Sequence, residues 1–207
     1  DRLPGDMAPV ESGSFLQGDS HDYGPADERP RHQVTLDAFF IDRHEVDNAR
    51  MADVLNWAYS NSLVSVTQSF GRTVVRNQEG AATNLLELGS DLLFTNGAFA
   101  AAASRETFPC VKVTWYGAMA YAHYRTRMQL DDRRQAVDLA TWTIDRTNTG
   151  YRLPTEAEWE KAARGGLSGS FFPWPGSEGA ASQHISGSQA NYRDSGDPYD
   201  NGTTPCA

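Results

Sequence analysis

Thiol chemistry has little to work with in this chain: its 207 residues hold two cysteines, Cys110 and Cys206. There is no CxxC pair and no Cys/His cluster, which argues against a structural zinc site. A lone pair of cysteines is either one disulfide or two inert thiols. Long apolar runs are also missing. The longest weakly polar stretch, Gly97–Ala103, is mostly alanine and far short of the ~18 residues that span a bilayer. Basic charge is scarce, with 18 Lys and Arg against 27 Asp and Glu and a formal net charge of −9. Nucleic-acid binders gather Lys and Arg on one face. Here the arginine-rich stretch 125–134 is broken by Asp131 and Asp132 and reads as a solvated helix face and loop. Nucleic acid is therefore not an expected partner, whereas an acidic chain suits cations. No Gly-x-Ser-x-Gly elbow occurs. The EF-hand pattern is absent, and the five histidines show no metal-ligand spacing. The sequence starts at Asp1 without methionine or apolar leader, which reads as a removed signal peptide or a trimmed sequence.

What is present is globular: 39% hydrophobic, 22% charged, with 5 Trp, 8 Tyr and 9 Phe. The length fits one domain with a proper core. Met7–Val10 and a second segment through Phe15 read as strands around a turn at Ser12–Gly13. Val34–Ile41 reads as a strand with Val34, Leu36, Ala38 and Phe40 on one face. Asp47 is a candidate N-cap, and Met51, Val54, Leu55 and Ala58 follow at amphipathic helical spacing. Strand-like pieces at Leu63–Val66, Thr73–Arg76 and Leu92–Thr95 predict hairpins. Val111–Thr114 and Ala140–Ile144 read as short strands, and a helix is expected over about Tyr116–Met128.

The most informative run is Gly150–Gly166, GYRLPTEAEWEKAARGG. Thr155 and Glu158 have the spacing of a capping box, in which the hydroxyl accepts from the Glu158 N–H and the carboxylate returns a bond to the Thr155 N–H. Pro154 blocks extension backward, and Gly165–Gly166 end the helix by adopting left-handed backbone at no Cβ cost. Trp159 and Ala163, one turn apart, are expected on the buried face. Glu156 and Glu160 read as solvated.

This run, followed by Phe171–Trp174 (FFPW), closely resembles the most specific motif of the formylglycine-generating-enzyme (sulfatase-modifying factor) family, with Arg152, Thr155, Glu158, Trp159 and Arg164 as its marker residues. MAPVESGSFLQG, ADERPRHQVTLDAFFIDRHEV, Phe108–Tyr124 and Ala190–Pro205 resemble other family segments in the same order, so the resemblance covers nearly the whole chain. It implies an irregular, loop-rich α+β fold related to C-type lectins. It also implies calcium: relatives bind the ion through an Asn, the next carbonyl, an Asp and the carbonyl two residues on. These map to Asn191, Tyr192, Asp197 and Tyr199, all hard oxygen donors. Read alone, the same Asp/Asn/Gly-rich loop is ordinary turn chemistry.

Catalytic relatives hold copper between two thiolates in a C-terminal segment marked by GNVWEW-like and RGGS-like runs. Soft thiolates suit Cu(I). Neither run occurs here, so the resemblance implies a single domain over 1–207, C-terminally incomplete relative to the family and without catalytic residues. Cys110 and Cys206 stand where relatives carry valine after proline, so they are not carried over as copper ligands. Their coincidence leaves two readings: a disulfide closing a loop of about 97 residues, or two buried thiols. The reading that follows is a non-catalytic, calcium-binding, extracellular, periplasmic or cell-surface module for recognition, adhesion or assembly with a protein partner or its own copies. The alternatives are a copper-dependent oxidase whose catalytic segment lies beyond Ala207, and a subunit of a cell-surface or filament assembly.

Overall fold

A computed structural model describes residues 6–19, 26–170 and 172–174. The chain divides into two compact units, one of Asp1–Ile41 with Pro154–Ala207 and one of Asp42–Leu153. Helices are few and sheets small, giving the expected loop-rich α+β architecture.

In the first unit, β1 (Met7–Val10) pairs with β4 (Phe39–Asp42), and β2 (Gly13–Gln17) pairs antiparallel with β3 (His32–Leu36). The expected single strand Val34–Ile41 is in fact two strands, interrupted at Asp37–Ala38. The interruption resets the alternation: Phe39 turns inward, while Phe40 is 47% exposed.

The second unit holds the core. Helix α1 (Asn48–Ser60) starts where Asp47 caps it, its carboxylate accepting from the Arg50 N–H at 2.7 Å. Met51, Val54, Leu55 and Ala58 are buried as their spacing requires. A three-stranded antiparallel sheet, β5 (Val64–Ser69), β6 (Arg72–Asn77) and β7 (Asn84–Glu87), and a hairpin, β8 (Leu92–Thr95) with β9 (Ala98–Ala101), pack beside the helices. Asn56 joins α1 to β9 by copying a backbone pair, donating to the Phe99 carbonyl at 2.9 Å and accepting from its N–H at 2.7 Å.

Helix α2 (Trp115–Gln129) begins one residue before the expected start because Thr114 caps it. Val111–Thr114 is not a strand: Val113 makes a single bridge to Leu86, and the Thr114 hydroxyl, already accepting from Gly117 N–H, donates to the Leu85 carbonyl at 2.8 Å. Residues 119–126 are all buried, so α2 is a core helix with no solvated stripe. Arg125 is therefore not on a solvated face. It is 6% exposed, pairs with both Asp42 oxygens at 2.6 and 3.1 Å, and lies over the Tyr151 ring at 4.0 Å. A short hairpin follows, β10 (Val137–Asp138) with β11 (Thr143–Ile144). The last helix, α3 (Glu156–Arg164), belongs to the first unit.

Candidate functional site

The second unit carries a cavity of about 530 Å³, lined by both polar and apolar groups, between the turn after β6, the inner face of α2 and the segment 135–148. Its walls are held by buried side chains. Asn77 is fully buried and donates to the Glu79 carbonyl and, at 3.1 Å, to that of Ala81, which fixes the turn carrying Glu79 and Gly80. Tyr124 in turn donates to Asn77 Oδ1 and, at 3.1 Å, to the Leu63 carbonyl. Burial pushes its phenol well above the usual range, so it remains a donor. Gly80 is required: its φ is +70°, and a Cβ would stand 2.7 Å from the Leu139 carbonyl oxygen.

His123, one residue before Tyr124, faces this cavity and is 8% exposed. Its Nδ1 donates to the Val137 carbonyl at 2.8 Å, which leaves Nε2 as an acceptor in the neutral ring. Nε2 has no hydrogen-bond partner among the described residues and lies 3.5 Å from Glu79 Oε2. Glu79 is itself gripped by Arg127 at 2.8 and 2.9 Å. Gln135 donates to the His123 carbonyl at 3.0 Å, and its Oε1 is the other buried side-chain atom without a partner among the described residues. Asp138 and Asp145 complete the rim. Backbone N–H of Ala140 and the Thr141 side chain hold the Asp138 carboxyl below its ordinary range; the Thr147 hydroxyl and N–H do the same for Asp145.

In the first unit the capping box is present: Glu158 N–H donates to Thr155 Oγ1 at 3.1 Å, and Thr155 N–H donates to the Glu158 carboxylate at 2.8 Å. Gly165 closes α3 in the left-handed conformation at φ +55°. The packed face differs from expectation. Trp159 is 59% exposed, whereas Glu158 is buried. Polar contacts direct this face to the hairpin. Lys161 Nζ donates to the Glu11 and Gly13 carbonyls at 2.7 and 2.9 Å, and the Glu160–Arg164 pair meets both the N–H and the carbonyl of Gly18. Lys161 and Glu158 lie on one side of the helix and Trp159 is turned by about 100° from Glu158. Glu160, expected in solvent, is a bridging residue. Trp159→Ala is therefore expected to cost about 1 kcal/mol, not the 3–5 of a core aromatic, and Thr155→Ala ~1 kcal/mol through the lost cap. Chemical denaturation of both variants checks this. In the second unit, Arg152 donates to its neighbour's carbonyl, Leu153 O, at 3.2 Å.

Comparison with known proteins matches residues 2–207 to the sulfatase-modifying factor enzyme 1-like domain. The chain belongs to the formylglycine-generating-enzyme family. It is 34% identical over 188 residues to the formylglycine-generating enzyme of Streptomyces coelicolor, covering 84% of this chain and 49% of that protein. It is 29% identical over 183 residues to that of Mus musculus, covering 81% and 42%. A serine/threonine-protein kinase, pkn1 of Chlamydia caviae, is 29% identical over 206 residues, covering 97% of this chain and 24% of the kinase. The chain thus spans about half the length, or less, of these curated relatives.

Within this family chain, the sequence-derived calcium ligands Asn191, Tyr192, Asp197 and Tyr199 lie outside the described residues, as does Cys206. Cys110 is half-buried and has no disulfide partner among the described residues; desolvation, with Asp47 and Asp91, pushes its thiol up to about 11. Among the described residues no group of three or more His, Cys, Asp or Glu side chains is arranged to hold a metal, and no helix is long and apolar enough to cross a membrane. The His123 cavity was invisible in sequence. Its groups come from three separate segments, and only the fold brings them together.

Proposed function

We propose that these 207 residues form a non-catalytic recognition module of the formylglycine-generating-enzyme family, stabilised by calcium and working outside the cytoplasm. The observation that carries it is the match of nearly this whole chain to 24% of a kinase-named protein. A copper thiolate needs a readily ionised sulfur in an electropositive setting. Desolvation and two nearby aspartates push the Cys110 thiol up to about 11, away from ready ionisation. It does not fit copper, and no step is assigned to it. The calcium donors fit by chemistry: an amide oxygen, a carboxylate and two carbonyls are hard ligands for a hard cation. The match to a quarter of a kinase-named protein supports use of this domain as a module within longer chains.

Incubation of the chain with a sulfatase peptide, copper and reductant is expected to give no formylglycine by mass spectrometry. Turnover would overturn the non-catalytic reading. The second reading, a copper-dependent oxidase that needs a further catalytic segment, is favoured by the names of the Streptomyces and mouse relatives. Calcium is expected to raise the melting temperature by linkage, adding about 2.7 kcal/mol of stability at a hundredfold excess over Kd. A midpoint that does not respond to calcium or chelator, or that still responds after Asn191→Ala, would remove the ion from this site.

A further inference from the structure

We propose that the cavity beside His123 binds an organic cation, an ammonium or guanidinium group of a small amine or of a basic side chain. The inference is independent of the calcium and copper readings. Both buried side-chain atoms left without partners among the described residues, His123 Nε2 and Gln135 Oε1, belong to residues lining this one cavity. Buried polar atoms are rarely left unmet, and each such exception calls for an explanation. Both are acceptors: Nδ1 of His123 and Nε2 of Gln135 already serve as the donors to Val137 and His123 carbonyls. A ligand completing the site must therefore bring N–H or O–H groups.

Charge narrows the class. Glu79, Asp138 and Asp145 line the cavity, and no Lys or Arg does. The two aspartates are held ionised by their N–H and hydroxyl donors. Nε2 of His123 and a Glu79 carboxylate oxygen stand 3.5 Å apart, without a hydrogen bond between them. Anions are excluded by the carboxylates. Glu79 already pairs with Arg127, so the charge a ligand would meet is that of Asp138 and Asp145 on the rim, with which a neutral polyol would form no ion pair. A preorganised metal centre is excluded because these carboxylates and the imidazole do not converge as a ligand cluster. A donor-rich cation satisfies both requirements, and about 530 Å³ admits a small molecule or one long side chain. The walls are preorganised by Asn77, Tyr124 and Gly80, which lowers the ordering cost of binding.

The test is NMR titration of the full 207-residue chain with agmatine, cadaverine and a blocked Gly-Arg-Gly peptide, with glutarate and glycerol as controls. The cations are expected to shift the amides of residues 135–148 and to move the His123 Nε2 resonance upfield as it accepts a hydrogen bond. Asp145→Asn keeps an oxygen for the Thr147 N–H and is expected to weaken agmatine about tenfold, with the rest of the spectrum unchanged. Binding of the peptide alone would place the cation on a polypeptide partner, and binding of the free amines alone would make it a metabolite. No response to any cation at millimolar concentration, or an equal response to glutarate or glycerol, overturns the proposal. So does a free chain in which Nε2 already carries a proton, since Glu79 would then be its partner.

Discussion

Asp42→Asn is expected to destabilise the protein by about 3 kcal/mol, lowering the urea midpoint while leaving the m-value unchanged. Asp42 is the counter-ion of Arg125, whose side chain is 7% exposed. The guanidinium makes two bonds to the carboxylate and is covered on one face by Tyr151. Asparagine offers one oxygen and no charge, so the cation stays buried and under-paired. The loss is mainly that stranding, not the worth of the pair, which the double variant tests. Replacing Asp42 by leucine and Arg125 by methionine removes both charges and is expected to recover most of the stability. A double variant as unstable as Asp42→Asn would show that the planar stack on Tyr151 matters more than the charge.

Gly117→Ala is the second large effect, and here two terms oppose each other. Helix propensity alone favours alanine by about 1 kcal/mol. A Cβ at Gly117, however, would stand 2.1 Å from the Leu85 carbonyl oxygen and 2.9 Å from Val113 Cγ1. The Leu85 carbonyl is sheet backbone that also accepts from Thr114, so it cannot swing aside cheaply. Either α2 moves away from β7, opening the core around Met119 and Leu85, or the strand distorts. Overpacking of this kind costs 1–3 kcal/mol and occasionally more. The net expectation is a loss of about 2 kcal/mol, visible as a lower melting temperature. A stabilised Gly117→Ala would mean that the first turn of α2 stands farther from β7.

Sequence legibility followed physical locality. Helix α1 was readable because one face is apolar and the other wet, and α3 because its caps lie within the run itself. Strands β7 and β9 escaped for different reasons: in β7 Leu85 and Leu86 are buried side by side, which erases the alternation, and β9 is three alanines around Phe99. Arg125 was misplaced because no sequence pattern links it to Asp42, 83 positions away. Trp159 was misplaced because hydrophobicity alone selected the packed face, whereas lysine and glutamate contacts determine it. The His123 cavity depends on backbone carbonyls and turns, which carry no side-chain signature.

The contacts of Lys161 and Arg164 with the β1–β2 turn and Gly18 have a kinetic meaning as well. A nine-residue helix is too short to persist alone in water. Its amides are shielded from exchange only while the carbonyls of Glu11, Gly13 and Gly18 remain in place to receive those two cations. Helix and turn should therefore open as one cooperative unit. Truncating the Lys161 side chain would remove two bonds together, so the lifetime of α3 is set in part by a residue near its own end and in part by a turn some 150 positions earlier in the chain.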